Sequence, residues 1–431
     1  MSRVVIRGGR ILDPSVDHDA EGDLLLEDGV IAAMGPEISV EESEVVEAEG
    51  LWVAPGFVDL HTHLREPGQE YKEDLASGGR AAVAGGYTAV ACMANTEPTN
   101  DDPSVTKYIL ERASEDSPAK VYPVAAATRG LEGKVMTEMA ALRDAGAVAF
   151  SDDGRVIMDA SVMRRVLEYS KLVDAPIVVH AEDTGLRGEG VMNEGAVSTR
   201  LGLPGNPAAA EEIHVARDIR LARLTGARLH IGHVSSAGSV ELIRQAKEDG
   251  LSVTAEVTPH HLALTDESTT SYDTNCKMAP PLRTHRDAKV LREALAHGVI
   301  DCVATDHAPH ADHEKDVEFT AAPFGVTGLE TSFAITSDLF RTGELDALDL
   351  IRRLSTVPAR IFGIPAGTLS VGAPADVVLL DPHEQWKYDA SEGFSKSRNS
   401  PWSGQKLTGR VVATFVDGRL VYRAGRGVVM Q

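Results

Sequence analysis

"GFVDLHTHL", residues 56–64, is an apolar run of strand length that closes on two imidazoles one residue apart. In an extended strand residues two apart point the same way, so His61 and His63 are expected on one face and Leu60, Thr62 and Leu64 on the other. Two imidazoles on one inward face suit a divalent metal such as zinc. Taken alone, such a pair is equally compatible with a structural role. The balance tips because the same texture, an apolar run ending in a metal-competent side chain, recurs along the chain.

Seven further apolar runs of strand length follow, most of them ending in a histidine or an aspartate: "YTAVACMANT" (87–96), "KVYPVAAAT" (120–128), "AVAFSDD" (147–153), "PIVVHAED" (176–183), "RLHIGHVS" (228–235), "LSVTAEVTPHH" (251–261) and "IDCVATDHAPH" (300–310). Helical patterns such as "SVMRRVLEYSKLV" and "PAAAEEIHVARDIRLARLTG" fill the gaps, with apolar residues at helical spacing. Eight strand–helix units predict the α/β class, as a distorted TIM (β/α)8 barrel over residues 56–365. Residues 1–55 and 366–431 read instead as short alternating strands turning at Gly or Asp-Gly, which predicts one small β-sandwich domain built from both ends of the chain.

In such a barrel the chemistry sits at the carboxyl ends of the strands. Those ends hold His61, His63, Asn95, Asp153, His180, His233, Asp306 and His310. Strand ends meet solvent and are polar anyway, so one such residue would mean little; imidazoles and carboxylates at five different ends mean more. In "AVAFSDDGR", if Val148 and Phe150 pack outward, Ala149, Ser151 and Asp153 point inward, and Asp153 is the candidate ligand. Asp152 then caps the next helix or hydrogen-bonds the loop. In "LHIGHVSS", His230 and His233 lie three apart, hence on opposite strand faces, and His233 is nearer the catalytic end. "VATDHAPH" supplies Asp306, a carboxylate placed to touch a metal and to move a proton.

Composition narrows the setting. A chain of 431 residues, 43% hydrophobic and without low-complexity blocks, is an ordinary globular protein. No segment has the length and apolarity of a signal peptide or membrane span, so the cytoplasm is expected. Cys92, Cys276 and Cys302 are isolated from one another and are read as reduced, mostly structural thiols. A formal charge of −23 argues against nonspecific binding to nucleic acid or an anionic membrane. It does not exclude an anionic small substrate, because a metal and one arginine reverse the sign locally. Arginine outnumbers lysine, which fits a plain solvated acidic surface or adaptation to salt.

The runs "PGFVDLHTHLREPGQEYKEDLASGGRAAVAGGYT", "MANTEP", "SDDGR", "HAED", "GNPAAAEE", "HVSS", "TPHHL", "ATDHAPH", "APFGVTGLE" and "SKSRNSPWSG" together resemble the bacterial type I dihydroorotases of the amidohydrolase superfamily, over nearly the whole chain. The resemblance implies reversible, zinc-dependent hydrolysis of dihydroorotate to N-carbamoyl-L-aspartate in pyrimidine synthesis. It implies that His61, His63 and Asp153 bind one zinc with Asp306 close by, and that His180 and His233 bind a second with Asp153 bridging. Asp306 would be the catalytic base and acid. His63, Arg65, Asn95, Ala279, His310, Phe324 and Gly325 would meet the substrate, Arg65 pairing with its carboxylate.

Two departures stand out. The chain reads "MAPPLR" where many relatives read "NPPLR", leaving Ala279 to act only through backbone or packing, and Ala94 replaces the proline of "MPNT". Hydantoinases and allantoinases, the neighbouring cyclic amidohydrolases, use a carboxylated lysine on the fourth strand where this chain has Asp153. A noncatalytic subunit that assembles with aspartate carbamoyltransferase is a further alternative, disfavoured because every ligand is present. Association of an active enzyme with that transferase stays open, and a homo-oligomer is expected.

Overall fold

In the computed structural model, which describes residues 3–39, 41 and 43–429, all eight apolar runs form strands. They are Phe57–Thr62, Tyr87–Cys92, Lys120–Ala125, Ala149–Ser151, Ile177–Val179, Leu229–Ile231, Val253–Val257 and Cys302–Val303. Each is parallel to and paired with its sequence neighbour, giving the expected (β/α)8 order. Several are only two or three residues long, and the barrel is correspondingly irregular.

The seam between the first and eighth strands is closed in two ways. Near the top, Thr62 and His307 form a parallel bridge, and the His63 amide donates to the His307 carbonyl at 2.8 Å. Below it the Asp59 side chain replaces a backbone partner, accepting from the amides of His61 (3.0 Å) and Thr305 (3.1 Å) and from the Thr305 hydroxyl (2.6 Å). Complete burial pushes the Asp59 carboxyl up to about 7 despite these donors.

Alternation sorts the strand side chains. Phe57, Val90, Phe150, Ile177, Val179, Leu229 and Ile231 pack outward with helix residues such as Ile109, Val166, Val215 and Ile243. Val58, Ala89, Ala91, Val124, Ala149 and Val178 fill the barrel base, with Phe362 and Ile364 from the end of the chain's last helix closing it below. The expectation for Leu60 fails here. The pairing register slips between Asp59 and Thr62, a bulge that turns Leu60 inward beside Val58 and still leaves His61 and His63 facing the centre. Surrounding helices start at side-chain caps, including Asp74, Asp159 and Thr284, whose oxygens accept first-turn amides.

The two chain ends combine as expected. Strand Val377–Lys387 pairs antiparallel with Trp52–Pro55, which pairs with Arg3–Asp13, so both ends belong to one nine-stranded sheet. The sheet encloses its own core of Ile6, Ile11, Leu24, Val53, Leu379 and Phe415. Trp52 and Phe57 both pack on Phe333, which joins this domain to the barrel through one aromatic seam. Residues 395–399, sequence neighbours of the sheet, instead reach the face of the barrel at the carboxyl ends of its strands. The three cysteines are free and buried, and among the described residues no helix is long and apolar enough to cross a membrane.

Because Asp59 satisfies three buried donors, Asp59→Ala should lower the unfolding free energy by about 2–4 kcal/mol. Equilibrium denaturant unfolding of both proteins measures it.

Candidate active site

Asp153 stands where the fourth strand has just ended, held by its own amide donating to Ser151 Oγ at 3.0 Å. One carboxylate oxygen lies 3.3 Å from His61 Nε2, 3.5 Å from His233 Nε2 and 3.7 Å from His180 Nδ1; the other lies 3.5 Å from His63 Nε2. Four imidazoles from three other strands therefore converge on a single buried carboxylate. Asp306, beyond the eighth strand, approaches from the far side, 3.1 Å from His63 Nε2 and 3.8 Å from His61 Nε2. Asp152 has the loop role expected of it rather than the helix cap. It accepts the Thr128 amide at 2.8 Å and the Thr128 hydroxyl, while Asp159 caps the following helix.

The hydrogen bonds on the remote ring nitrogens dictate what faces the centre. His61 Nδ1 lies 2.7 Å from Glu256 Oε1, and His63 Nδ1 lies 2.9 Å from Asn95 Oδ1. Both acceptors are oxygens, so both Nδ1 atoms carry a proton and both Nε2 atoms point at Asp153 and Asp306, where a neutral ring would present a lone pair. At 3.1–3.5 Å from these carboxylates each Nε2 calls for positive charge on its line of approach: a bound cation, or a ring proton, which burial opposes on His61 but Asp153 and Glu256 favour, raising that imidazole well above its usual value. His61 Nε2 and Asp153 Oδ1 are buried and have no hydrogen-bond partner. The donor set of imidazole nitrogens and carboxylate oxygens thus fits a divalent metal ion, and His61–His63–Asp306 and His61–Asp153–His233 each bring three ligand atoms within 4.8 Å of one another.

The same crowding sets the ionisation. Burial opposes charge on Asp153, yet His61, His233 and His63 hold its carboxyl well below the usual range. Burial opposes charge on Asp306 too, and His63 and His61 outweigh it, so that carboxyl is also lowered. Both groups are anionic at neutral pH. Three site residues, Arg65, His233 and Asp306, have positive φ of 62°, 31° and 47°, a left-handed backbone that non-glycine residues adopt at some cost.

That backbone explains two departures from strand parity. His233 is turned to the site by its own φ, two residues after its strand ends, and His230 faces inward as well, below the site. There His230 Nε2 meets Glu256 Oε2 at 3.0 Å and Nδ1 meets Thr254 Oγ1 at 2.8 Å. The two histidines are therefore not on opposite faces, although only His233 approaches Asp153. Arg65 likewise reaches the centre through its left-handed turn rather than by strand alternation.

Above these groups opens a cleft of about 320 Å³. It is lined by His63, Arg65, Asn95, Asp153, His180, His233, Ala279, Asp306, His310, Phe324 and Gly325. His61 lies beneath it, fully buried. Every residue singled out in the sequence is thus at one place. Glu182 and Arg187 also line the cleft and were not singled out. Glu182 shares strand parity with His180 and was legible in "HAED"; Arg187 sits on a four-residue helix with no periodic signal. Burial and the positive charges of Arg65, Lys72 and Lys315 push the His310 imidazole down to about 2. It is neutral, with Nε2–H donating to the Phe324 carbonyl at 2.8 Å.

The loop carrying Phe324 is fastened by two lysines. Lys277 Nζ donates to the carbonyls of Phe319 (2.7 Å) and Thr320 (3.0 Å), and Lys315 Nζ to those of Pro323 (2.9 Å) and Gly325 (3.0 Å). Burial lowers Lys277 to about 8 and, with the added charge of Lys277, Lys315 to about 7. The cations of Lys277 and Arg187 both approach the Phe324 ring, at 4.6 Å and 5.1 Å from its centroid.

This chain belongs to the amidohydrolase family, whose model matches residues 52–421. Curated relatives narrow the placement. A dihydroorotase of Anaeromyxobacter dehalogenans (strain 2CP-1 / ATCC BAA-258) is 51% identical over 420 residues, 97% of either chain. One of Syntrophus aciditrophicus (strain SB) is 49% identical over 423 residues, 98% of this chain and 99% of its own. Within the family the chain falls among the dihydroorotases. Its fold matches a solved L-hydantoinase (dihydropyrimidinase) from Arthrobacter aurescens with a TM-score of 0.90 at 27% identity, covering 100% of this chain and 98% of that one. The dihydropyrimidinase of Brevibacillus agri NCHU1002 matches with a TM-score of 0.85 at 25% identity, covering 98% and 95%.

Lys315→Met removes two donors from the loop and should raise KM for the substrate about tenfold with a smaller effect on kcat, as read by steady-state kinetics. It should also change the pH dependence of stability. A lysine at about 7 in the fold and about 10.4 unfolded binds more protons unfolded between those values, so its contribution to stability rises with pH across that window. In the variant, denaturant unfolding should lack that rise.

Proposed function

We propose that this chain catalyses the reversible hydrolysis of (S)-dihydroorotate to N-carbamoyl-L-aspartate in the cleft above Asp153. The observation that carries the proposal is the convergence of four imidazoles on Asp153 with Asp306 opposite, under a cleft that holds an arginine. In this reading His61, His63 and Asp153, with Asp306 close by, would hold one zinc ion, and His180 and His233, together with Asp153, would hold a second. Zinc bound there supplies an acidified water and polarises the carbonyl under attack.

The protein groups do the rest. Arg65, buried and anchored through Nε to the Pro309 carbonyl at 3.2 Å, keeps its terminal nitrogens for the substrate carboxylate. Asn95 spends its oxygen on His63 and keeps its amide N–H groups for the substrate. Asp306, ionised at working pH, accepts the proton of the attacking water and returns it to the ring nitrogen as the ring amide C–N bond breaks; ring closure runs the same transfers backward. Neutral His310 with Phe324 and Gly325 forms the wall that excludes water. Ala279 contributes packing or backbone only, a loss of about 1 kcal/mol against an asparagine contact.

A hydantoinase reading has the solved neighbours in its favour. Against it stand the relatives near 50% identity, Asp153 in place of a carboxylated lysine, and an arginine suited to a substrate carboxylate. The proposal includes a free small-molecule substrate, a cytoplasmic setting and a homo-oligomer, with association with aspartate carbamoyltransferase to be read by copurification.

Metal analysis with assay in both directions tests the proposal on wild type and Asp153→Ala. Wild type should hold zinc and interconvert the two compounds; the variant should lose metal affinity and activity by at least about a hundredfold. Wild-type metal content and rate in the variant would overturn it. Arg65→Met should raise KM for dihydroorotate roughly 10- to 100-fold, while any rate on an uncharged hydantoin stays unchanged.

A further inference from the structure

The segment joining strands Val377–Lys387 and Lys406–Val416 leaves the terminal sheet and crosses the catalytic face. Its motif "SKSRNSPWSG" has no role in the mechanism above. One end of the crossing is tied to the start of the helix Leu75–Ala84: the Ser395 hydroxyl and the Lys396 amide (3.1 Å) donate to Glu73, and the Ser397 hydroxyl donates to the Lys72 carbonyl at 2.7 Å.

The other end is Asn399, which is buried and does not line the cleft. Its Nδ2 donates to the carbonyls of Ala308 and Gly325, both at 3.0 Å, and its Oδ1 accepts the His310 amide at 3.1 Å. Its own carbonyl accepts the Thr327 amide at 2.9 Å. Both amide hydrogens and the oxygen of the side chain are committed, and they are committed to two different loops. Ala308, His310 and Gly325 do line the cleft.

We infer that Asn399 is a positioning residue for substrate binding, fixing the distance between the loop of His310 and the loop of Phe324 and Gly325 so that both face the substrate as one wall. The inference rests on the proposed reaction for its kinetic arm only. Asparagine is the side chain that fits. Aspartate keeps the acceptor but sets a carboxylate against two carbonyl oxygens, and alanine leaves two carbonyls and one amide without these partners. The His310–Phe324 bond is a second tie between the loops, so loss of Asn399 should loosen rather than release them. None of the proposed metal ligands touches Asn399 directly, so metal binding should be spared.

The test uses the full-length, zinc-loaded protein with Asn399→Ala and the nearly isosteric Asn399→Asp. Both should raise KM for dihydroorotate about tenfold, with kcat within about threefold and zinc content unchanged. Amide hydrogen exchange should quicken at 308–311 and 324–328 and stay as in wild type at 395–397. An unchanged KM overturns the inference, as does a parallel fall of kcat, zinc content and thermal stability in both variants or failure of both to fold. If wild type does not turn over dihydroorotate, the proposed reaction fails, and unaltered exchange at 308–311 in the variants would separately overturn the role of Asn399.

Discussion

A carboxylate buried at the end of an apolar strand is the constraint on which the rest of this molecule depends. Asp153 is removed from water and surrounded by four imidazoles within 3.7 Å. An isolated buried anion would cost several kcal/mol or take up a proton. Here His61 and His63 commit their far nitrogens to Glu256 and Asn95, which leaves both Nε2 atoms facing Asp153 and Asp306. The two carboxylates are balanced by positive charge at the centre, carried by the imidazoles as protons or by a bound metal ion. The outer hydrogen bonds that the two rings donate to Glu256 and Asn95 orient them so that Nε2 faces the centre.

The fold serves this centre by concentrating irregularity around it. The barrel base is apolar and ordinary, filled by Val58, Ala89, Ala149 and Val178. At the top the first strand bulges, and Arg65, His233 and Asp306 take left-handed backbone. Asp59 replaces backbone pairing at the seam, immediately below His61. Regular strands would have alternated His230 and His233 across the sheet; the irregular ones bring the reactive groups inward at the cost of strain held by packing and hydrogen bonds.

Much of this was legible in the sequence because strand chemistry has a short period. All eight barrel strands, the pairing of the two chain ends and the inward choice of Asp153 over Asp152 follow from alternation and strand-end position. The places where alternation failed are those where the backbone is no longer a regular strand: the bulge that turned Leu60 inward and the left-handed residue that reoriented His233. Other features were beyond reach for a different reason. Arg187, the lysines that hold the 319–325 loop and the crossing of Asn399 over the catalytic face depend on tertiary contacts between segments tens or hundreds of residues apart, which no local pattern encodes.

The central claim is that Asp153 is the carboxylate about which the metal centre is built. Anomalous diffraction from crystals of the zinc-loaded protein, recorded at the zinc edge, tests it most directly. The account predicts the strongest anomalous peak within coordination distance of the Asp153 carboxylate and the Nε2 atoms of His61 and His63. A strongest peak elsewhere, for instance on the neighbouring His230, Glu256 and Cys302 group, with none touching Asp153, would contradict it.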